Sequence, residues 1–350
     1  MSSVVFVKTK LVIILGSTEP ARRPRLDDVA TEVGVSAATV SLVLRGIAGP
    51  SPATRQRVLG AAARLGYRPD RAASLLASKR SRLIGVVLDV SNPFHSELIE
   101  DVHEAAQRTG YNLVLSAVTR VQDEGRAIET LLDSRCAALV LLGSKLPAAR
   151  LTVLAQQVPI VVVGRPVSSA GVDVVRTDDN EGLDQGVAYL AGLGHRQITY
   201  VDGGHGEVPA LRRRAYQKAM RRHHLADHIR IVDGGETEDA GGRAGPEILR
   251  LHPMATAVMT FNDRCAMGLI DALLRSGVKI PHSLSIIGYD DSTVARLGHI
   301  NLTTISQNSP QLMEQAITNL IERLDDIRSE QRSVVVPPHL IVRGTTGPPP

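Results

Sequence analysis

Arginine and hydroxyl side chains crowd the beginning of this 350-residue chain. Residues 1–80 hold thirteen Lys and Arg against five Asp and Glu, whereas the rest of the chain holds 27 against 31. Arg25, Arg45, Arg55, Arg57, Arg64, Arg68 and Arg71 are interleaved with Ser36, Thr39, Ser41, Ser51 and Thr54. Guanidinium groups and hydroxyls both donate hydrogen bonds to phosphate oxygens, so this mixture suits a nucleic-acid backbone. Further along, polar groups gather in short segments: Asp89, Asn92 and His95, then Asn262-Asp263, then Asp290-Asp291, with Arg212 opening RRRAYQKAM. Carboxylate, amide and guanidinium together offer donors and acceptors to a hydroxyl-rich small molecule.

Other chemistries find little support. No nucleophile and base stand at a catalytic spacing, so an enzyme is not expected. Gly203-Gly204-His205-Gly206 is too irregular for a dinucleotide loop, and no GxxxxGK[ST] occurs. His224 and His228 are four apart, but on a basic helix they read as surface residues rather than metal ligands. Cys136 and Cys265 lack metal-ligand spacing and read as small buried hydrophobes of a reducing compartment. The apolar opening Val4–Leu15 is interrupted by Lys8 and Lys10 and falls short of the ~20 residues of a membrane span. It also lacks a small-residue cleavage site. Residues 1–24 are left as an extension without an assigned role.

The length and the 43% hydrophobic content suit two or three packed domains. Leu26, Val29, Ala30 and Val33 line one face of a short helix that Gly34 ends. Ser36 suits the N-cap of a second helix, Ala37 to Leu44, with Val40, Val43 and Leu44 available for packing. Ser51-Pro52 opens a third, which runs through Val58, Ala61, Ala62 and Leu65 to Gly66. Helix, glycine-containing turn, helix is the helix-turn-helix arrangement.

The run LDDVATEVGVSAATVSLVLRG, followed by SPATRQRVLGAAARLGYRPDRAASLLASKRSRLIGVVL, resembles the head and hinge of the lactose-repressor/galactose-repressor (LacI/GalR) family of transcription regulators. The resemblance implies that the second helix enters the major groove of operator DNA. It then places Ala37, Ala38 and Leu42 at base-reading positions, and Thr39, Ser41, Arg45, Ser51 and Thr54 at phosphates. Leu26, Ser36 and Tyr67 complete the expected DNA-contacting set in the head. Leu42 stands where many members carry Arg, and leucine makes no bidentate contact to guanine, so a different operator is expected. Residues 71–78 resemble the hinge helix that enters the minor groove, with Leu76 as the wedging leucine and Ala73 allowing close approach. Arg71 belongs to that segment, and Asp70 replaces the usual Asn at its start. An ordinary helical linker is the alternative reading of this stretch.

Beyond residue 80, apolar runs of strand length alternate with helical stretches: Leu83–Leu88, Asn112–Leu115, Ala138–Leu142, Ile160–Val163, Ile198–Val201, Ala257–Thr260 and Leu284–Ile287. The pattern argues for two lobes, each a doubly wound parallel sheet, with ligand groups in the loops after the strands. The NPF loop, LGHRQI at 193–198, ND before AMG, IGYDD, and LTTISQ at 302–307 extend the resemblance to about residues 25–343. It implies a periplasmic-binding-protein-like body in which Arg212, Asn262 and Asp290 touch the effector, with Asn92, Phe94 and His95 closing the other lobe. Each has a simpler reading: Asn92 and Asp290 suit helix caps, Arg212 a surface charge beside Arg213, and Phe94 a core position. Many relatives have an Asp after the fourth strand, where this chain has Gly164-Arg165. Arg165 therefore joins the expected effector set and hints at an anionic ligand.

The expected organisation is an all-α helix-turn-helix head at 25–69, a hinge at 70–80, an α/β effector-binding and dimerisation domain at 81–343, and a flexible tail at 344–350. The Pro-rich end lacks the leucine heptads of a tetramer-forming tail. A cytoplasmic, nucleoid-associated homodimer is expected, binding double-stranded operator DNA under control of a non-covalent effector, most simply a sugar or sugar derivative. No cofactor, metal or membrane enters this picture. A periplasmic-type solute receptor would share the body but would not need the basic head.

Overall fold

A computed structural model describes residues 24–67 and 81–350, which form two compact units divided at Arg80. The expected hinge residues Asp70, Arg71, Ala73 and Leu76 lie outside the described residues.

The head is three helices: α1 (Leu26–Val33), α2 (Ala37–Leu44) and α3 (Pro52–Leu65). Gly34 takes φ 72°, which turns the chain between α1 and α2 without the clash a Cβ brings in that region. Ser36 and Ser51 cap α2 and α3, their Oγ atoms accepting from the Thr39 and Thr54 amides at 3.2 Å each. Val29, Val33, Val40, Val43, Val58 and Ala61 form the core. Arg55 and Arg57 reinforce it by donating to the carbonyls of Ile47 (2.9 Å) and Val33 (2.5 Å), so these cations serve the fold.

The body contains two six-stranded sheets. The first comprises β1 (Leu83–Asp89), β2 (Asn112–Val118), β3 (Ala138–Leu142), β4 (Ile160–Val163), β5 (Val172–Thr177) and β11 (Ser333–Val336). Its order is β11-β5-β4-β3-β1-β2, all parallel. The second comprises β6 (Ile198–Val201), β7 (Arg230–Val232), β8 (Ala257–Thr260), β9 (Ser285–Asp290), β10 (Thr303–Ser306) and β12 (His339–Ile341), ordered β12-β10-β9-β8-β6-β7. Only β12 runs antiparallel, against β10, a departure from the all-parallel expectation. Helices α4 (Pro93–Arg108), α5 (Glu124–Asp133), α6 (Ala148–Ala155) and α11 (Ser309–Leu324) cover the first sheet. Helices α7 (Asp179–Gly192), α8 (Glu207–Arg222), α9 (Glu238–Leu251) and α10 (Asp263–Arg275) cover the second.

Strands β5, β7, β10, β11 and β12 were not anticipated, because their apolar runs are short or interrupted. In β5 the interruption is Asp173, fully buried and held by Arg328 at 2.7 and 3.1 Å. The chain crosses between lobes after β5, after β10 and after β11. The tail expected to be flexible is docked instead: Thr345 exchanges hydrogen bonds with Ile286, and the Gly347 carbonyl lies 2.8 Å from His195 Nε2. Both thiols are buried, and burial pushes Cys136 up to about 11 and Cys265 up to about 12, so neither is a reactive thiolate at neutral pH.

Candidate functional site

Between the lobes lies a cleft of about 760 Å³, at the carboxyl ends of both sheets. Asn92, Phe94, His95, Arg165, Arg212, Asn262 and Asp290 all line it. The sequence placed these seven residues across almost two hundred positions, and the fold brings them to one wall or the other.

On the second lobe the groups are buried and cross-linked. Arg212, from the first turns of α8, is 5% exposed; its Nε donates to Asp179 Oδ1 at 2.9 Å and its Nη1 to the Phe261 carbonyl at 2.8 Å. The guanidinium stacks 3.6 Å from the Tyr289 ring centre. Burial would lower its pKa, but Asp179, Tyr289 and Asp290 outweigh that and raise it, so the cation is permanent. It is not the surface charge its neighbours Arg213 and Arg214 suggested. Asp290 ends β9 at φ 119°, a conformation costly for a non-glycine residue and concentrated at functional sites. Gln307 Nε2 donates to Asp290 Oδ1 at 2.6 Å, and Thr177 Oγ1 donates to Gln307 Oε1 at 3.1 Å. Burial pushes the Asp290 carboxyl up, with Arg212 Nη1, 3.9 Å away, pulling against it. Asn262 caps α10: its Oδ1 accepts from the Cys265 amide at 2.8 Å, and its Nδ2 donates to the Glu236 carbonyl at 3.0 Å.

The first lobe is looser. Asn92 caps α4 through the Phe94 amide (3.1 Å), leaving its Nδ2 without a protein partner among the described residues. Phe94 packs half-buried on the lobe's core and shows its other side to the cleft. His95 Nδ1 accepts from the Asp89 amide at 3.0 Å, which leaves the ring proton on Nε2. Burial lowers its pKa to about 4, with Asp89 opposing and Lys145 assisting, so the ring is neutral at physiological pH. Lys145 itself reaches Asp89 Oδ2 at 3.4 Å.

Arg165 is committed. It donates to the carbonyls of Ser144 and Leu146 and pairs across the cleft with Glu207 at 2.7 Å. A cation with its own carboxylate gives no ground for an anionic ligand, and that part of the expectation loses its basis. Glu97 makes a second bridge between lobes, accepting from the Thr293 amide and hydroxyl, each at 3.0 Å. Sequence reasoning assigned no role to Glu97, Lys145, Asp179, Glu207 or Gln307. Gln307 stood within the LTTISQ stretch, while Asp179 read as an ordinary acidic first-turn residue.

In the head, Ala38 and Arg45 are exposed, while Leu42 is half-buried and outside the core cluster, so it has surface to offer a partner. Ala37, Leu26 and Tyr67 lean on the core. The Ser36–Thr39 and Ser51–Thr54 hydroxyl pairs, each 2.9 Å apart, sit at the amino ends of α2 and α3, where free amides and the helix dipole favour phosphate.

These parts define a helix-turn-helix polypeptide carrying a two-lobed, cleft-bearing α/β body. Residues 25–70 match the family "Bacterial regulatory proteins, lacI family", and residues 187–346 match the "Periplasmic binding protein-like domain". The HTH-type transcriptional regulator GalR of Salmonella typhimurium is 35% identical over 285 residues, covering 80% of this chain and 83% of that protein. The ribose operon repressor of Escherichia coli K12 is 33% identical over 330 residues, covering 91% and 99%. The lac repressor dimer bound to operator and the anti-inducer ONPF superposes with a TM-score of 0.79 at 27% identity, covering 93% and 100%. The chain belongs to the LacI/GalR family and is a DNA-binding transcriptional regulator, in a family of regulators rather than enzymes. No helix among the described residues is long and apolar enough to cross a membrane.

Proposed function

We propose that the protein acts as a homodimeric repressor in the cytoplasm, at the nucleoid, releasing or gripping a pseudo-palindromic operator as an uncharged polyhydroxyl effector of the sugar class occupies the cleft. The observation that carries this reading is the convergence of Arg212, Asp290, Asn92 and His95 on one cleft whose cations each already have a carboxylate partner. A neutral ligand adds no charge to that balance. Asp290 Oδ2 accepts from its hydroxyls, and Asn92 Nδ2 and His95 Nε2 donate to them. Phe94 and Phe261 supply the apolar faces. Dimerisation and operator binding are supported by the lac repressor dimer-operator complex, and the resemblance assigns Asp70, Arg71, Ala73 and Leu76 to the minor-groove hinge.

Thermal-shift screening of neutral sugars beside their phosphates tests the effector class, because a ligand selective for the folded state raises the melting temperature. The proposal expects shifts from neutral compounds that Asp290→Asn abolishes; shifts confined to phosphorylated compounds and likewise abolished by Asp290→Asn would overturn it. At the head, site selection from a random duplex pool should give a consensus that changes when Leu42→Arg is introduced, with a gained guanine worth about 1–3 kcal/mol. An unchanged consensus would remove Leu42 from the reading surface.

A further inference from the structure

A second concavity, of about 530 Å³, shares no lining residue with the cleft and lies where the chain crosses between lobes. Arg176, Arg214, Lys218 and Arg221 line it, with Asp179 the single acidic side chain among its walls. Arg214, Lys218 and Arg221 stand at i, i+4 and i+7 of α8, so they share one helical face. Arg176 comes from β5 of the other lobe and is held by its Nη1 donating to the Thr177 carbonyl at 3.2 Å.

The carboxylates nearby are spent elsewhere. Asp179 is shared by Arg212 (2.9 Å) and the Tyr289 hydroxyl (2.8 Å). Asp178 caps α7 through the amides of Asn180 and Glu181, and Asp184 holds Arg222 and His223. Among the described residues, the side chains of Arg214, Lys218 and Arg221 have no hydrogen bond or ion pair. Surface cations normally sit among compensating acids; four converging on a concave wall that lacks them leave an unanswered positive field.

We propose that this concavity is a second ligand site, taking a small compact polyanion such as a phosphorylated metabolite with two or more clustered phosphoryl groups. Guanidinium forks bind such oxygens bidentately, and a half-open concavity of this size holds a small molecule. The site takes Arg176 from one lobe and α8 from the other, and α8 also carries Arg212 into the main cleft. An occupant therefore favours the lobe arrangement that brings Arg176 and α8 together, and so biases the response to the cleft's own ligand.

The test titrates inorganic pyrophosphate into the full-length protein by calorimetry, at ionic strength held constant with chloride. The wild-type chain should bind one pyrophosphate per subunit at this site. The variant carrying Arg214→Glu and Lys218→Glu should bind it roughly tenfold or more weakly, at an unchanged melting temperature. Substituting Gln at the same two positions provides a milder check and should give an intermediate loss, while Arg176→Glu should weaken binding although it lies on the other lobe. Binding that survives all these substitutions would place the anion on the basic head and overturn the proposal. So would the absence of pyrophosphate heat accompanied by reduced nonspecific duplex affinity in the double variant, because the cations would then serve DNA.

Discussion

The two walls of the main cleft are built on different principles. On the second lobe, Arg212, Asp290 and Asn262 are buried, and each is tied to at least one further group of that wall or the crossing: Asp179, Gln307, Glu236. On the first lobe, Asn92 and His95 each have one anchoring hydrogen bond, and Lys145 is largely exposed. One wall is set before the ligand arrives; the other keeps donors unspent to meet it. Rigid recognition combined with an adjustable closing wall is what a ligand-driven change of lobe angle requires, because the adjustable wall gains its contacts only on closure.

Breaking the rigid wall should produce the largest effect. Arg212→Ala leaves the buried Asp290 and the partly buried Asp179 without their cation, and a loss of about 3–5 kcal/mol is expected in urea denaturation, with effector binding abolished. A loss under about 1 kcal/mol would mean that this wall is not the fixed one. His95 comes next. Its depressed pKa means that the folded protein favours the neutral ring. That contribution is complete above about pH 6.5, where it amounts to about 3 kcal/mol, and is lost progressively as pH falls to about 4. His95→Gln should flatten the stability profile between those values; an unaltered slope would contradict the assignment. The smallest effect is expected from the cross-cleft pair, where Glu207 is half exposed. Glu207→Gln should cost about 0.5 kcal/mol or less in stability while changing effector affinity and its salt dependence, measured by calorimetry at two ionic strengths.

Local rules made much of this architecture legible. Gly34, Ser36, Ser51-Pro52 and Gly66 each act within a few residues of themselves, and the three head helices fall where those signals stand. Resemblance brought the seven cleft residues together, because motifs such as NPF, ND and IGYDD each end a strand at the same edge of its sheet. What escaped is non-local. Arg165 meets Glu207 forty-two positions later, and Asp173 meets Arg328 after 155, with no periodicity to announce either pairing. The docked tail escaped for a related reason: its Pro-rich composition suggests an unstructured end, yet Thr345, Gly347 and His195 supply the hydrogen bonds that hold it.

The most direct measurement follows operator affinity by fluorescence anisotropy, using a duplex selected by this protein and the neutral ligand that most raises its melting temperature. For the wild-type chain, saturating ligand should change operator affinity by about 5–150-fold, and for Asp290→Asn it should change nothing. An operator affinity that stays constant while the ligand demonstrably fills the cleft would contradict the account.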